Sequence, residues 1–120
     1  MTNYPWMDVY CLAKQGAIKE YKPEWDATRY MIGGKMFALQ GCDAAGRALI
    51  TLKLLPEDGD FLRRLYQDII PGYYMNKTHW NSVYLDGAVP DHILRDMIDK
   101  SYALIFSSLT KKLQKEIAGY

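Results

Sequence analysis

Polar residues that could do chemistry lie close together between positions 76 and 84. Asn76, Lys77 and Thr78 form a short polar segment. It could bind an anion through the ammonium group and turn amides, or it could be a solvated turn in which Asn76 bonds its own backbone. His79 could act as a base or a metal ligand, but no His, Cys or carboxylate stands at ligand spacing from it. We therefore interpret His79 as a structural or surface residue and predict no metal site.

Two aromatic residues follow on a predicted strand that begins at Trp80. Alternation places Trp80 and Tyr84 on one face of this strand, and Val83 and Leu85 on the other, which we assign to the core. Lys53 falls on the same open face of the preceding predicted strand. Aromatic rings beside a cation provide base stacking and phosphate neutralisation. The alternative, which we favour because Trp is mostly buried in proteins, is that the rings pack under the preceding loop.

The elements that must position these residues follow the order helix, three strands, helix, strand, helix. The first helix is predicted over Tyr4–Gln15, and an irregular stretch runs from there through Pro23. Pro56 and Pro90 mark the starts of the second and third helices, since proline suits a first helical turn. Strands joined by short turns predict an α+β fold, with a mainly antiparallel sheet and helices packed on one face.

A Gly33–Gly34 pair between two of the strands predicts a two-residue hairpin turn. The predicted register pairs Ile32 with Lys35, Met31 with Met36, and Tyr30 with Phe37. Alternation then places Thr28, Tyr30, Ile32, Phe37 and Leu39 of these two strands on one face. On the third strand, Ala48, Ile50, Leu52 and Leu54 share the face that we assign to the core.

Apolar residues at helical spacing predict the buried face of each helix. The predicted core residues are Val9, Leu12 and Ala13 in the first helix, and Phe61, Leu62, Leu65 and Tyr66 in the second. For the third they are Leu94, Met97 or Ile98, Tyr102, Ile105, Leu109 and Leu113, which together predict one long amphipathic helix that reaches the tail.

Composition narrows the class of protein. The chain has 120 residues, 49% of them hydrophobic, which fits one domain over residues 1–120 with a core of its own. Its net charge of +1 argues against a strongly basic nucleic-acid binder. The two cysteines, Cys11 and Cys42, are too few for a disulfide framework, so we expect reduced thiols in a cytoplasmic protein. We expect no signal peptide, because the N-terminal residues lack a basic region and an apolar run.

Several motifs occur together in one order along the chain. They are Lys35-Met36-Phe37-Ala38, Leu62-Arg63-Arg64-Leu65-Tyr66, the block from Pro71-Gly72-Tyr73 through Asn76-Lys77 to His79-Trp80, Val83-Tyr84-Leu85-Asp86-Gly87, Pro90-Asp91 and Ser101-Tyr102-Ala103-Leu104. In these the chain resembles the MmcQ/YjbR family of small bacterial proteins. The resemblance implies a CyaY-like fold and a comparison with double-wing DNA-binding domains.

Two features depart from what the resemblance implies. The family block commonly has a histidine after its Pro-Gly-Tyr, where this chain has Tyr74, so we carry over no role that needs an imidazole. The acidic residues Asp8, Glu20, Glu24 and Asp26 are scattered rather than gathered in a frataxin-like ridge, so iron binding is not carried over either.

The functional hypotheses differ in class. The first is a nucleic-acid or other anion-binding module that uses the open sheet face and the loop from Tyr73 to Trp80. Its predicted contact residues are Lys35, Lys53, Tyr73, Asn76, Lys77, His79, Trp80 and Tyr84. The alternative is a non-catalytic protein-interaction or regulatory adaptor. We rank an enzyme last, because no nucleophile–base pair can be assembled, and we predict no cofactor, no membrane association, and a monomer or weak dimer.

Overall fold

Six antiparallel strands form one sheet in the computed structural model, which describes residues 2–72 and 75–119. The strand order is β1-β2-β3-β4-β6-β5. The strands are β1 (Ile18–Lys22), β2 (Ala27–Ile32), β3 (Lys35–Cys42), β4 (Ala48–Lys53), β5 (Ile69–Pro71) and β6 (Trp80–Tyr84). The α+β class and the antiparallel sheet predicted from the sequence are confirmed.

Four helices accompany the sheet: α1 (Met7–Leu12), α2 (Pro56–Leu65), α3 (Asp91–Ser107) and α4 (Lys111–Ala118). The core lies between one face of the sheet and the helices, and α3 crosses β3 and β4. Ser101 of α3 ties the two layers together, since its hydroxyl donates to the Phe37 carbonyl at 2.6 Å and accepts from the Lys53 amide at 2.8 Å. None of the helices in residues 2–72 and 75–119 is both long and apolar enough to cross a bilayer.

The stretch predicted to be irregular before Pro23 contains strand β1. This edge strand pairs with β2, and Ile18 and Tyr21 are 61% and 55% exposed. Neither side of β1 is buried, so its sequence lacks the apolar alternation that marks a strand. β5 was also not predicted, because three residues are too few for a periodic signal.

A β-bulge changes the predicted register of the central hairpin. Ile32 pairs with Lys35 and Met31 with Met36, as predicted, but Tyr30 pairs with Ala38 instead of Phe37. Phe37 is thus an extra residue in β3, and beyond a bulge the alternation of faces is shifted by one. Ala38 therefore joins the core, while Leu39 lies opposite Arg29 on the other face, which contradicts its predicted assignment.

The predicted core stripe of one helix is wrong, and that of another is too wide. In α1 the buried residues are Met7 and Cys11, four apart, while Val9 is 70% exposed and Leu12 and Ala13 are also exposed. Because α1 has only six residues, it contacts the core mainly through two buried residues one turn apart rather than through a broad apolar face.

Of the four residues that were predicted to form the buried face of α2, Leu62 is buried and Tyr66, at the helix end, is half-buried. Phe61 and Leu65 are 64% and 58% exposed. α2 packs at the side of the sheet against short β5 rather than across its centre, so it has less surface to cover.

The long C-terminal helix predicted from periodicity is two helices. α3 ends at Ser107, and Thr110 caps α4 by accepting a hydrogen bond from the Leu113 amide at 3.2 Å. Leu94, Met97, Ile98 and Ile105 of α3 are buried as predicted, while Tyr102 is half-buried against the core. Leu109 is buried in the turn between the helices. That turn preserves the spacing of apolar residues, so periodicity alone does not show the break.

Candidate functional site

The sheet face opposite the helices, which we call the open face, is covered by no described helix. Residues of β4 and β6 alternate on it in cross-strand pairs: Lys53 with Trp80, Thr51 with Ser82, and Leu49 with Tyr84. Thr51 and Ser82 are both buried, and their side chains hydrogen-bond each other at 2.7 Å, so the middle of this face is shielded from solvent. The sequence therefore assigned this face correctly for β6 and placed Lys53 on it correctly.

Lys53 and Trp80 are direct neighbours, as the nucleic-acid hypothesis requires. Both side chains are half-buried. Trp80 is fixed by its backbone, because its amide donates to the Asn76 carbonyl at 2.9 Å and its carbonyl accepts from the Gly72 amide at 2.7 Å. A Cβ atom on Gly72 would lie only 2.7 Å from the Cβ of Trp80, which explains why the Pro-Gly-Tyr block has glycine there.

The polar loop before Trp80 makes its hydrogen bonds internally. The Asn76 side-chain oxygen accepts from the amide of Thr78 at 2.9 Å, and the Lys77 ammonium donates to the Gly72 carbonyl at 3.1 Å. This is the geometry of the turn alternative, with Asn76, Lys77 and Thr78 exposed. Tyr73, a predicted contact residue, and Tyr74, the position of the family histidine, lie outside the described residues.

His79 is half-buried at the start of β6, where its carbonyl accepts from the Leu54 amide at 2.8 Å. Within residues 2–72 and 75–119, no three His, Cys, Asp or Glu side chains are grouped to hold a metal ion. The contacts of His79 are thus those of a strand residue, in line with the structural interpretation of its sequence context.

Tyr84 belongs to a charged cluster at the far end of the open face. Its hydroxyl hydrogen-bonds Asp43 Oδ2 at 3.0 Å, and the Arg47 guanidinium lies 3.7 Å from its ring centroid. Arg47 also pairs with Asp86 at 2.8 Å and with Asp68 at 3.5 Å. Hydrogen bonds from the Arg47 backbone, Tyr84 and the Ala45 amide lower the pKa of the Asp43 carboxyl. Arg47 therefore occupies a ring face that base stacking would use.

Lys35 is separated from the other predicted contact residues. It pairs with Ile32, a core residue, and so projects to the helix side of the sheet. Its ammonium donates to Ser108 Oγ at 3.2 Å and to the Ser108 carbonyl at 3.4 Å, at the end of α3. A cation there complements the negative end of the helix dipole, which gives Lys35 a structural role.

The open face also contains a pocket of about 490 Å³ that the sequence did not predict. Of its lining residues, Leu39 and Leu49 are 5% and 2% exposed, whereas Trp25 is largely exposed. The lining residues are mainly apolar: Glu24, Trp25, Ala27, Met36, Leu39, Gly41, Cys42, Leu49 and Met75. The bulge that moves Leu39 to this face is thus part of what forms the pocket.

Trp25 is placed by the turn between β1 and β2. Its amide donates to the Lys22 carbonyl at 3.1 Å, and Asp26 adopts a left-handed conformation with φ of 47°. The cationic groups of Lys22 and Arg29 each lie 5.8 Å from the ring centroid of Trp25, which nevertheless remains 54% exposed. A tryptophan in a turn between two strands is the sequence signal that could have indicated Trp25 as a binding residue. That turn can be predicted only after β1 is recognised as a strand.

Comparison with known proteins identifies the family. The YjbR family model matches residues 12–104 of the chain. The chain belongs to the YjbR family. It is 34% identical over 106 residues to the Escherichia coli K12 protein YjbR, covering 88% of this chain and 89% of the relative. It is 38% identical over 97 residues to YbdF of Escherichia coli O157:H7, covering 81% and 77%.

Solved structures agree with this assignment. A Deinococcus radiodurans protein with a DUF419 domain superposes on the chain with a TM-score of 0.86, at 29% identity, covering 98% of this chain and 89% of the other. A Pseudomonas syringae protein superposes with a TM-score of 0.71 at 26% identity, covering 87% and 98%. The family resemblance predicted from the motifs is confirmed, and this YjbR-family fold is the frame that carries the open face and its pocket.

Proposed function

We propose that this YjbR-family protein is a non-catalytic binding protein whose open sheet face receives an apolar ligand in the pocket. The observation that supports the proposal is the pocket itself, since about 490 Å³ is within the range of small-molecule sites. Its lining offers many apolar contacts and few polar groups, which suits binding by burial of apolar surface more than acid–base chemistry.

Gly41 provides a direct test, because it lines the pocket on β3 and pairs with Leu49. Among the described residues, a Cβ there would meet only the Ala27 Cβ, at 3.4 Å, so the backbone accepts a side chain. Gly41→Leu should fill the pocket. The matched control is Ala103→Leu, which adds bulk to a separate concavity between α2 and α3.

The measurement is NMR chemical-shift mapping with 2-naphthol and its saturated counterpart decahydro-2-naphthol. We expect at least one compound to shift amides of β2, β3 and β4 around the pocket, and Gly41→Leu to abolish those shifts while Ala103→Leu keeps them. The proposal fails if neither compound perturbs the pocket amides of the wild-type protein, or if the filled variant binds equally well.

A second candidate function, nucleic-acid binding, is favoured by one observation: the pairing of Lys53 with Trp80 on the open face. A base could stack on the indole while the ammonium meets a phosphate, with Lys77, Asn76 and His79 on the adjoining loop. The test is a fluorescence titration against mixed single-stranded DNA and RNA at low salt. Trp80→Leu and Lys53→Ala should each weaken binding, and no detectable binding by the wild-type protein would exclude this function.

The protein-interaction hypothesis uses the same open face, where an apolar side chain of a partner would enter the pocket. It differs in its test, because a peptide or protein partner would also contact the rim beyond the pocket. Capture of a defined partner that Gly41→Leu abolishes and Ala103→Leu preserves would favour it over a small ligand.

A further inference from the structure

We infer that the pocket of the open face takes a planar aromatic molecule without net charge, an inference that rests on the proposed binding function and names its ligand class. The floor of the pocket is sheet, and two of its positions carry almost no side chain, Gly41 and Ala27. These two residues lie against each other, with only 3.4 Å between the Ala27 Cβ and a Cβ built on Gly41. Small residues on a pleated surface leave space above the strands between the larger side chains of Leu39 and Leu49.

The side chains around that floor favour an aromatic ring over an aliphatic chain. Trp25 contributes an indole, and Met36 and Met75 contribute thioethers. Aromatic pairs gain stability beyond the area that they bury, and methionine sulfur makes favourable contacts with ring edges while its flexible chain adapts to ligand shape. Met36 comes from β3 and Met75 from the loop before β6, so the two thioethers approach from different elements.

The charges beside the pocket are already paired within the protein. Lys22 lies 3.5 Å from Glu24, and the Arg29 guanidinium bonds Glu20. Among the described residues of the lining, Glu24 is the only charged one, and Lys22 is its partner. An anionic ligand would meet the Glu24 carboxylate and would have to compete for cations already engaged, whereas a neutral ligand keeps both ion pairs intact.

Trp25 provides the remaining argument. The residue is 54% exposed although its backbone is held in a defined turn. Tryptophan is the residue type most often found as a binding anchor, because it buries a large apolar area at small entropic cost. A ligand on the pocket floor would cover part of this exposed ring, so Trp25 is the residue expected to distinguish aromatic from saturated ligands.

Three probes built on the same two fused six-membered rings test the inference by NMR titration: 2-naphthol, decahydro-2-naphthol and 2-naphthoate. We expect 2-naphthol to bind about tenfold more tightly than its saturated counterpart, the size of an added aromatic contact. It should also bind more tightly than the anionic naphthoate. Trp25→Leu should remove most of the preference for the aromatic ring, while Trp25→Phe, which keeps a ring, should retain part of it.

The outcomes separate the inference from the proposed function. Equal affinity for 2-naphthol and its saturated counterpart overturns the aromatic preference but leaves apolar binding intact, and tightest binding of 2-naphthoate overturns the requirement for a neutral ligand. Failure of both 2-naphthol and decahydro-2-naphthol to bind overturns the proposed function as well. Unchanged amide shifts in α3 of each variant verify that the fold is kept.

Discussion

At the scale of single residues, the two cysteines lie in opposite environments. Cys11 is fully buried in the core, and burial raises the pKa of its thiol to about 12. Cys42 is exposed at the pocket. Because the thiolate is the reactive species, a disulfide reagent such as DTNB should label Cys42 in the folded protein and reach Cys11 only after denaturation.

The measurement is the number of thiols titrated per chain, which we expect to rise from one to two when denaturant is added. Cys42→Ser is the control and should show no rapid labelling in its folded state. Rapid labelling of both thiols in the native protein would contradict the burial of Cys11. Occupation of the pocket by 2-naphthol should slow labelling of Cys42, because this residue belongs to the lining.

Asp8 links the first helix to the sheet and makes stability depend on pH. Its Oδ1 accepts from the Lys19 ammonium at 2.8 Å and from the Tyr30 hydroxyl at 2.7 Å, and these bonds lower the pKa of the carboxyl below its ordinary 3.8. A carboxyl with a lowered pKa stabilises the fold above its ordinary value and loses that contribution as the pH falls through the folded-state pKa.

Asp8→Asn should therefore destabilise the protein at neutral pH and reduce the loss of stability between about pH 4 and more acidic conditions. Since the side chain is 43% exposed, solvent screening should limit the effect to less than about 1 kcal/mol. Urea unfolding at neutral and acidic pH measures it. Tyr30→Phe, which removes one of the two donors, should show a smaller change in the same pH dependence; a variant Asp8→Asn with unaltered pH dependence would contradict this assignment.

At the scale of elements, the β2–β3 hairpin turn packs against the turn between α3 and α4. Gly33 and Gly34 both have positive φ, 55° and 81°, so alanine at either costs about 1 kcal/mol of backbone strain. A Cβ on Gly33 would also lie 2.7 Å from a methyl group of Leu109, whereas a Cβ on Gly34 has nothing within 4 Å. We expect Gly33→Ala to be more destabilising than Gly34→Ala by about 1 kcal/mol, since Leu109 must move.

Chemical denaturation of the two alanine variants measures this difference. The strain is common to both, so the comparison isolates the contact between the hairpin and the buried residue of the α3–α4 turn. The Leu109→Ala substitution should remove this clash. In a protein that carries Leu109→Ala, Gly33→Ala and Gly34→Ala should therefore lower the free energy of unfolding by the same amount. Equal free energies of unfolding for the two single variants would show that the turn packs loosely.

These elements also show what the sequence could and could not predict. One side of β4 and of β6 packs against the helices, so apolar and polar residues alternate along both strands. That alternation predicted the core residues of these strands and the position of Lys53 on the open face. β1 was missed because neither of its sides is buried. The bulge at Phe37 depends on how β3 pairs with its neighbouring strands, and no residue type in the sequence indicates it. The pocket depends on that bulge and on the turn at Trp25, so it could not be predicted either.

The candidate site was predictable to the same extent. The neighbouring positions of Lys53 and Trp80 follow from strand alternation and adjacent strands. The contact of Arg47 with the ring of Tyr84 could not be foreseen, because the turn after β3 folds back on the end of β6. The predicted pairing of Lys35 with Ile32 already puts Lys35 on the helix side, so the sequence could have separated it from the open-face residues.

At the scale of the whole molecule, the charge distribution sets how any nucleic-acid binding must behave. The net charge is +1, and Lys53 and Lys77 are the lysines that the second candidate function places against phosphate. Two such contacts on a single strand predict a slope of about −1.4 for log K against log salt concentration. Titration of a labelled single-stranded oligonucleotide at several salt concentrations measures that slope.

Lys53→Ala should bring the slope closer to zero by about 0.7, the share of one phosphate contact. The control is a double variant, Lys111→Ala with Lys112→Ala, on exposed positions of α4 away from the open face; it should leave the slope unchanged. A much steeper slope would contradict binding through these two lysines. A slope that responds to the α4 variant and not to Lys53→Ala would likewise indicate that the nucleic acid binds on the helical side of the protein. A slope near zero with intact binding would instead favour contact through the rings and the apolar pocket, because burial of apolar surface releases no counterions.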